Sequence, residues 1–174
     1  MSKNDRINIF VVEDNKVFSL ALKADIESTF GKKPIHVHSF ETGESCMAEF
    51  KLDNPDIVIL DYNLNSKSPD AANGIKILDW IKTENHDTDV IMLTSEDNLE
   101  IAVKSLTHGA SDYVVKSETK FKKLNYSLGN LLRMREAESD AKRYKVLAIG
   151  LFVSLVLIVG AVVIIQICMP MFLK

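Results

Sequence analysis

The stretch Ile57-Val58-Ile59-Leu60-Asp61 (IVILD) decides the fold that we predict for this chain. Four consecutive apolar residues, three of them β-branched, are typical of a short strand buried on both faces, and the run ends in a carboxylate. Asp61 is therefore expected at the C-terminal end of a strand. In open parallel α/β sheets, ligands and chemistry collect in the crevice outside those strand ends.

Four further segments have strand patterns, and helical patterns separate all five strands. The other strands are predicted over 7–12, 35–40, 90–93 and 113–115. The helices are predicted over 15–30, 42–52, 75–83 and 99–107, with a last one beginning near Thr119. This alternation predicts an α/β fold with a five-stranded, doubly wound parallel sheet.

Apolar residues at helical spacing predict which face of each helix packs on the sheet. In the first helix this stripe is Val17, Leu20, Ala21, Ala24 and Phe30, and in the second it is Met47, Phe50 and Leu52. In the third helix it is Ile75, Ile77, Leu78 and Ile81, and in the last one it is Phe121, Leu124, Leu128, Leu131 and Leu132.

Composition divides the chain into two parts. The 174 residues are 47% hydrophobic and 26% charged, enough for one ordinary core. All 24 acidic residues and 20 of the 21 basic ones precede position 146. Nucleic-acid binding needs a basic surface, so this acidic part gives no reason to expect nucleic-acid binding.

Two cysteines in different settings, Cys46 and Cys168, are typical of a protein in a reducing compartment.

Five polar residues at predicted strand ends are expected to meet in the crevice: Glu13, Asp14, Asp61, Thr94 and Lys116. Three neighbouring carboxylates repel one another and normally bind a hard divalent cation, for which Mg²⁺ is the natural candidate. A hydroxyl and an ammonium opposite that cation complete a pocket for a phosphoryl group. Taken alone, Asp14 has an alternative role as the cap of the following helix.

The spacing of Glu13-Asp14, Asp61, Thr94-Ser95, Gly109-Ala110 and Lys116 resembles the receiver domain of two-component response regulators. The resemblance covers about residues 5–135. It implies the flavodoxin-like strand order 2-1-3-4-5. It also implies that Asp61 is the phosphoacceptor, with a sensor histidine kinase or phosphotransfer protein as donor and Mg²⁺ as cofactor.

The resemblance assigns roles residue by residue. Asp14 would ligate Mg²⁺ directly, Glu13 would act mainly through water, and Asp61 and the backbone carbonyl of Asn63 would supply further ligands. Lys116 would pair with Asp61 and then with the phosphoryl oxygens. The phosphoryl-binding and switch positions would be Thr94, Ser95 and Tyr113, with Tyr113 turning inward as Thr94 moves.

Three features depart from the family pattern. Gly74 lies thirteen residues after Asp61, and residues 66–70 look like an insertion beside the site. Ser117 follows Lys116 where the family usually has proline, so a cis bond there is not expected. Glu13 stands in place of the commoner aspartate.

Residues 146–169 predict a single transmembrane helix. These 24 residues carry no charge and as a helix span about 36 Å, more than the roughly 30 Å of a hydrocarbon core. Lys142, Arg143 and Lys145 precede the segment and only Lys174 follows it, so the positive-inside rule places the receiver domain in the cytoplasm. Gly150 and Ser154 stand four residues apart, which is compatible with a homodimer.

The expected organisation is a receiver domain over 1–135, a charged helical linker over 136–145, the membrane span over 146–169 and a short tail over 170–174. The last receiver helix is predicted to continue unbroken into the span. The protein would then be a tail-anchored protein of the cytoplasmic membrane.

The expected function is that of a phosphoacceptor that is not an enzyme and signals through contacts with an unidentified downstream protein. One alternative is a receiver-like adaptor that binds proteins at the membrane without phosphorylation. Another is a Mg²⁺-dependent phosphohydrolase that forms an aspartyl-phosphate, although such enzymes usually need an acid where this chain has Asn63. His36 and His38 are expected to face solvent, and their spacing does not make a metal site.

Overall fold

The computed structural model describes residues 6–64, 73–95, 98–117 and 120–172. Within them five strands alternate with five helices. In chain order these are β1 Ile7–Val12, α1 Lys16–Thr29, β2 Ile35–Phe40, α2 Gly43–Asp53, β3 Ile57–Asp61, α3 Gly74–Glu84, β4 Asp89–Thr94, α4 Leu99–Thr107, β5 Asp112–Val115 and α5 Lys120–Phe172. The predicted insertion at 66–70 lies outside the described residues.

The five strands form one parallel sheet in the order β2-β1-β3-β4-β5. This is the flavodoxin-like order, and the predicted α/β fold is confirmed. The strand boundaries differ from the predicted ones by one residue at most. Apolar residues recur about every 3.6 positions in a helix, and side chains alternate between the two faces of a strand. Because these two patterns differ, the sequence was sufficient to locate each strand and helix.

β3 occupies the middle of the sheet, and all five of its residues are buried. Its register sets Ile57 beside Ile9 of β1 and beside Asp89 of β4. A strand covered on both faces has no solvent-facing position for a polar side chain, which explains its unbroken apolar run. Asp61 therefore stands where the buried strand ends.

One large core cluster lies between the sheet and the helices α2 and α3. Every second residue of three strands contributes to it, since alternate side chains of a strand share a face. Its largest members are Phe10, Phe50, Leu60, Ile77, Leu78 and Ile81. The predicted inner stripe of α3 is confirmed, because all four of its residues are buried.

The predicted inner stripe of α1 is wrong. The buried residues of this helix are Ser19, Leu22 and Ile26, whereas Val17 is 79% exposed and Leu20 is 65% exposed. The helix carries two apolar stripes at helical spacing, and the sequence pattern alone does not rank them. Packing against the sheet selects the stripe that contains Leu22 and Ile26.

Leu52 was also assigned to the wrong side of α2. Its side chain is 75% exposed, and Cys46 and Phe50 are the buried apolar side chains of the helix. Residues two apart on a helix point about 200° away from each other, so Phe50 and Leu52 do not share a face.

The chain divides into two compact units, Met1–Gly129 and Asn130–Lys174. The second unit is helical throughout its described residues, all of which belong to α5. The prediction that the last helix runs on without a break is therefore confirmed. Of its predicted stripe, Phe121 is half-buried and four residues are buried: Leu124, Leu128, Leu131 and Leu132.

Among the described residues one helix, over Phe121–Ala161, has the length and apolar composition needed to cross a membrane. Its most apolar window is wholly exposed. A stripe of exposed aliphatic side chains of this length is unusual on a surface that faces water.

Cys46 lies in the core cluster and is fully buried. Burial raises the pKa of its thiol to about 12, because the thiolate would lose its hydration. The thiolate is the reactive form of cysteine, so Cys46 serves as an apolar core residue rather than as a redox or nucleophilic group.

We expect Cys46 to resist alkylation while the protein is folded. In a Cys168→Ser variant, in which Cys46 is the sole thiol, iodoacetamide at pH 8 should react at least about a hundredfold more slowly than after unfolding in urea. Intact mass against time measures both rates. Equal rates in the two states would contradict the burial of this side chain.

Candidate functional site

The ends of β1, β3 and β5 converge at one edge of the sheet. Hydrogen bonds continue the ladder just past the strands: the amide of Glu13 donates to the carbonyl of Phe40 at 2.9 Å, and that of Lys116 donates to the carbonyl of Thr94 at 2.6 Å. Because parallel strands end on the same side, Glu13, Asp61 and Lys116 are delivered to one crevice.

The ammonium of Lys116 lies between two carboxylates. Its Nζ is 2.6 Å from Glu13 Oε2 and 2.8 Å from Asp61 Oδ2. Both acids are only 2% exposed. With Asp14, these four side chains carry a formal charge of −2 when all are ionised, so one ammonium does not neutralise the crevice.

Burial changes the pKa values of Glu13 and Lys116. Burial raises the pKa of Glu13, the hydrogen bond from Lys116 partly offsets this rise, and repulsion from Asp61 adds to it. For Lys116, burial is the largest effect and lowers the pKa, but the hydrogen bonds to Asp61 and Glu13 together outweigh it and leave the pKa above its ordinary value. The crevice thus favours an added positive charge.

One carboxylate oxygen from each of Glu13, Asp14 and Asp61 lies within 4.8 Å of the others. Mg²⁺ takes six oxygen ligands at about 2.0–2.1 Å, so adjacent oxygens of one ion lie about 2.9 Å apart and opposite ones about 4.2 Å apart. Three carboxylate oxygens gathered in this way would supply part of that shell, and water molecules would fill the other positions. The donor set therefore fits Mg²⁺ by its chemistry, because hard carboxylate oxygens are the ligands that this ion prefers.

Asn63 touches the crevice through its amides. Its backbone N–H donates to Asp61 Oδ1 at 3.3 Å, and its side-chain Nδ2 donates to Ser95 Oγ at 3.4 Å. The second contact joins Asn63, two residues after β3, to Ser95, the residue after β4. The structure thus brings Asn63 and the exposed Ser95 to the same side of the sheet as Asp61.

The other two predicted switch residues differ in burial. Thr94 is fully buried at the end of β4, beside Val115 of β5 in register. Tyr113 is half-buried in β5 and packs against the core cluster. Both lie on the strands that border Lys116.

Asp14 is not the helix cap that the alternative interpretation allowed. Asn15 is the N-cap of α1, and its side-chain oxygen accepts from the amide of Phe18 at 3.1 Å. The amide of Asn15 also donates to Glu13 Oε1 at 3.3 Å. Asn15 thus caps the helix and orients Glu13. Asp14 instead belongs to the carboxylate cluster with Glu13 and Asp61.

The aromatic rings of Phe18 and Phe121 lie next to Lys116, a contact that the sequence analysis did not predict. Lys116 Nζ is 4.9 Å from the centroid of the Phe18 ring, a cation–π distance. The Phe18 ring stacks on Phe121 of α5 with centroids 5.7 Å apart. No local pattern signals this contact, because Phe18 lies about a hundred positions before Lys116 and Phe121 in the chain.

Gly74, the first residue of α3, lies against the backbone at the end of β3. A Cβ atom at this position would lie 2.6 Å from the carbonyl oxygen of Asp61 and 2.6 Å from Cα of Tyr62. Its amide donates to the carbonyl of Tyr62 at 3.0 Å. Only glycine allows α3 to begin this close to the end of β3.

Comparison with known proteins identifies a family. The response regulator receiver domain matches residues 9–126. The heme response regulator HssR of Staphylococcus epidermidis is 27% identical over 134 residues, which are 77% of this chain and 55% of HssR. The probable C4-dicarboxylate response regulator DctR of Bacillus subtilis is 35% identical over 103 residues, 59% of this chain and 38% of DctR. The chain thus spans about half the length, or less, of these curated relatives.

Solved structures agree with the family match. The signal receiver domain of a putative LuxO repressor protein from Vibrio parahaemolyticus has a TM-score of 0.65 at 26% identity, covering 77% of this chain and 95% of that one. The BeF3-activated DrrB receiver domain has a TM-score of 0.61 at 26% identity, covering 74% and 98%. The similarity extends over nearly the whole of these isolated domains.

We expect Mg²⁺ to stabilise the folded protein through the three carboxylates. At a Mg²⁺ concentration ten times its dissociation constant, the gain is about 1.4 kcal/mol, or roughly 3–6 °C in melting temperature. Asp14→Asn should lose most of this gain, and Asp79→Asn, an exposed acid on α3, should keep it. Circular dichroism of the full chain in detergent micelles measures the shifts, and equal responses in the two variants would contradict the site.

Proposed function

Since this chain belongs to the response regulator receiver domain family, we propose that Asp61 is the carboxylate on which it accepts a phosphoryl group from the phosphohistidine of a sensor histidine kinase or phosphotransfer protein. Receiver domains accept a phosphoryl group on aspartate, bind Mg²⁺ and partner with histidine kinases; they are phosphoacceptors rather than classical enzymes. The observation that carries the proposal is the position of Asp61, 2.8 Å from Lys116 and grouped with Glu13 and Asp14.

The proposed chemistry is transfer between two nucleophiles. An oxygen of Asp61 bonds to phosphorus while the phosphorus–nitrogen bond of the donor breaks, and the leaving imidazole keeps the electron pair. Lys116 reduces the repulsion between the carboxylate and the incoming phosphoryl oxygens. Glu13, Asp14, Asp61 and the backbone carbonyl of Asn63 would hold Mg²⁺, which would supply further positive charge to the phosphoryl oxygens.

Three residues are proposed to respond to the new group. The hydroxyl of Thr94, with Ser95 beside it, hydrogen-bonds a phosphoryl oxygen, and Tyr113 moves into the space that Thr94 leaves. Support comes from their positions, since Thr94 and Tyr113 lie on the two strands that border Lys116. Tyr113 is half-buried and packs against the core cluster, so an inward turn changes a packing contact as well as its exposure.

The donor protein is proposed to dock over the exposed stripe of α1. Val17 and Leu20 face solvent on this helix, and Leu20 lines a groove that also reaches Glu13. Lys16 and Glu41 pair at 2.8 Å across the same groove. An apolar strip beside the acceptor crevice gives a donor protein a surface to bury as its phosphohistidine approaches Asp61.

The downstream partner is proposed to bind the face formed by α4, β5 and α5. Leu99, Val103 and Leu106 lie on one side of α4 and are all exposed, Leu99 by 78%. Such a stripe at i, i+4 and i+7 is the pattern of a helix face that packs against another protein. Signalling through protein contacts needs no further catalytic group.

The long apolar helix supports membrane anchoring. We place the receiver domain over 1–135, a charged linker over 136–145, a membrane span over 146–169 and a short tail over 170–174. Basic residues on the N-terminal side of the span favour a cytoplasmic receiver domain. Gly150, which has open space around it, and Ser154 offer two spans a close approach in a homodimer.

We expect the full chain to gain about 80 Da, the mass of one HPO₃, when it is incubated with Mg²⁺ and acetyl phosphate. Asp61→Asn should gain nothing, because the nucleophile is gone, and Asp79→Asn should match the wild type. Intact mass spectrometry measures the gain. Failure of the wild type to gain mass, together with no response to beryllofluoride, would favour the adaptor alternative.

We expect the chain to enter lipid vesicles and to resist alkaline extraction. Replacing Leu155 and Ile158 together by lysine should abolish this, since a central lysine costs about 3 kcal/mol on the insertion scale. The matched control replaces the same two residues by alanine and should stay in the membrane. Vesicle flotation measures the bound fraction, and equal binding of the two variants would rule out the span.

A further inference from the structure

Two contacts that hold the Lys116 ammonium change during the proposed reaction. Asp61, whose Oδ2 lies 2.8 Å from Lys116 Nζ, would become an acyl phosphate. Glu13, which accepts from the ammonium at 2.6 Å, belongs to the carboxylate group that would hold Mg²⁺. Lysine has a flexible four-carbon stem, so a contact that the reaction leaves unchanged is needed to keep its ammonium in place.

The ring of Phe18 provides such a contact. Lys116 Nζ lies 4.9 Å from the ring centroid, within the roughly 6 Å at which the face of an aromatic ring attracts a cation. The ring carries no net charge, and phosphoryl transfer does not alter it. It therefore attracts the ammonium without adding another negative charge to the crevice.

Phe18 is held in the first turn of α1. Its amide donates to Asn15 Oδ1 at 3.1 Å, which is the N-cap hydrogen bond of this helix, and the amide of Asn15 donates to Glu13 Oε1 at 3.3 Å. Phe18 also lies one turn before the fully buried Leu22, so the inward stripe of α1 extends as far as the lysine. The backbone that carries the ring is therefore connected both to the core and to the crevice.

Phe121 of α5 supports the Phe18 ring from a second helix. The two rings stack with their centroids 5.7 Å apart and an angle of 29° between their planes. Further along, Asn125 Nδ2 donates to Asp25 Oδ2 of α1 at 2.7 Å, and Leu124, beside Phe121, is buried. The position of the ring thus depends on the packing of α1 against α5.

We propose that Phe18 is a positioning residue for phosphoryl transfer, because its ring keeps the Lys116 ammonium directed at Asp61 while the charges of the crevice change. This inference rests on the proposed function of Asp61 as the acceptor. Without the ring the ammonium turns more readily toward solvent, which lowers the fraction of molecules in which it can meet an incoming phosphoryl group. Phe18 acts only through the lysine.

The rate at which the full chain in micelles gains about 80 Da from acetyl phosphate with Mg²⁺ tests the proposal. We expect Phe18→Leu, which stays apolar but loses the ring, to lower this rate at least about fivefold, and Phe18→Tyr, which keeps the ring, to stay within about twofold of the wild type. Phe30→Leu is the matched control and should react as the wild type does, because it makes the same change at a half-buried residue at the other end of α1. Melting temperatures check that each variant folds.

A double-mutant cycle separates positioning of the lysine from general packing. A Lys116→Ala variant has no ammonium to hold, so adding Phe18→Leu to it should not lower the rate further. An equal fold-loss with and without the lysine would overturn the proposal. So would a wild-type rate in Phe18→Leu, or a rate in Phe18→Tyr as low as that of Phe18→Leu.

NMR of the full chain labelled with ¹³C at lysine Cε observes the contact without any phosphorylation. The Lys116 signal, identified by its absence from Lys116→Ala, should move downfield in Phe18→Leu and stay in place in Phe18→Tyr, because the face of an aromatic ring shields nearby nuclei. An unchanged signal in Phe18→Leu would overturn the proposal. If the wild type gains no mass, the proposed function of Asp61 fails and this inference fails with it, whereas equal gains in the wild type and Phe18→Leu overturn this inference alone.

Discussion

The ammonium of Lys116, buried between Glu13 and Asp61, is the interaction on which the functional end of the sheet depends. It joins the ends of β1, β3 and β5, which otherwise bring only negative charge to the crevice. Removing one partner from such a buried group costs on the order of 3–5 kcal/mol, because the remaining charges lose their compensation. A metal ion or a phosphoryl group must therefore act on an arrangement that the lysine already organises.

The sheet makes that arrangement rigid. Asp61 ends a fully buried strand, and Glu13 and Lys116 stand one residue past their own strands, each held by a backbone hydrogen bond to a neighbouring strand. Gly74 lets α3 start against the backbone of Asp61. Groups held by strands keep their separations better than groups on loops, which suits a carboxylate that must meet a donor in one geometry.

The surfaces around this rigid edge differ in character. α1 and α4 each leave an apolar stripe in solvent, one beside the crevice and one on the face next to β5. α5 carries the contact of Phe121 with Phe18, and through it a packing contact to Lys116. A change in the position of the lysine thus has a direct route to the first turn of α5.

By itself the sequence determined the order and bounds of the strands and helices, the strand-end positions of Glu13, Asp61 and Lys116, and the apolar character of 146–169. These features are local, because a strand or helix period is visible within a few residues and parallel strands end on one side of a sheet. Only the tertiary structure decided which of the two apolar stripes of α1 turns inward, that Phe18 lies beside Lys116, and that Phe121 stacks on Phe18. Each of these depends on residues distant in the chain, whose contacts are chosen by packing of the whole domain and leave no periodic signal in the sequence.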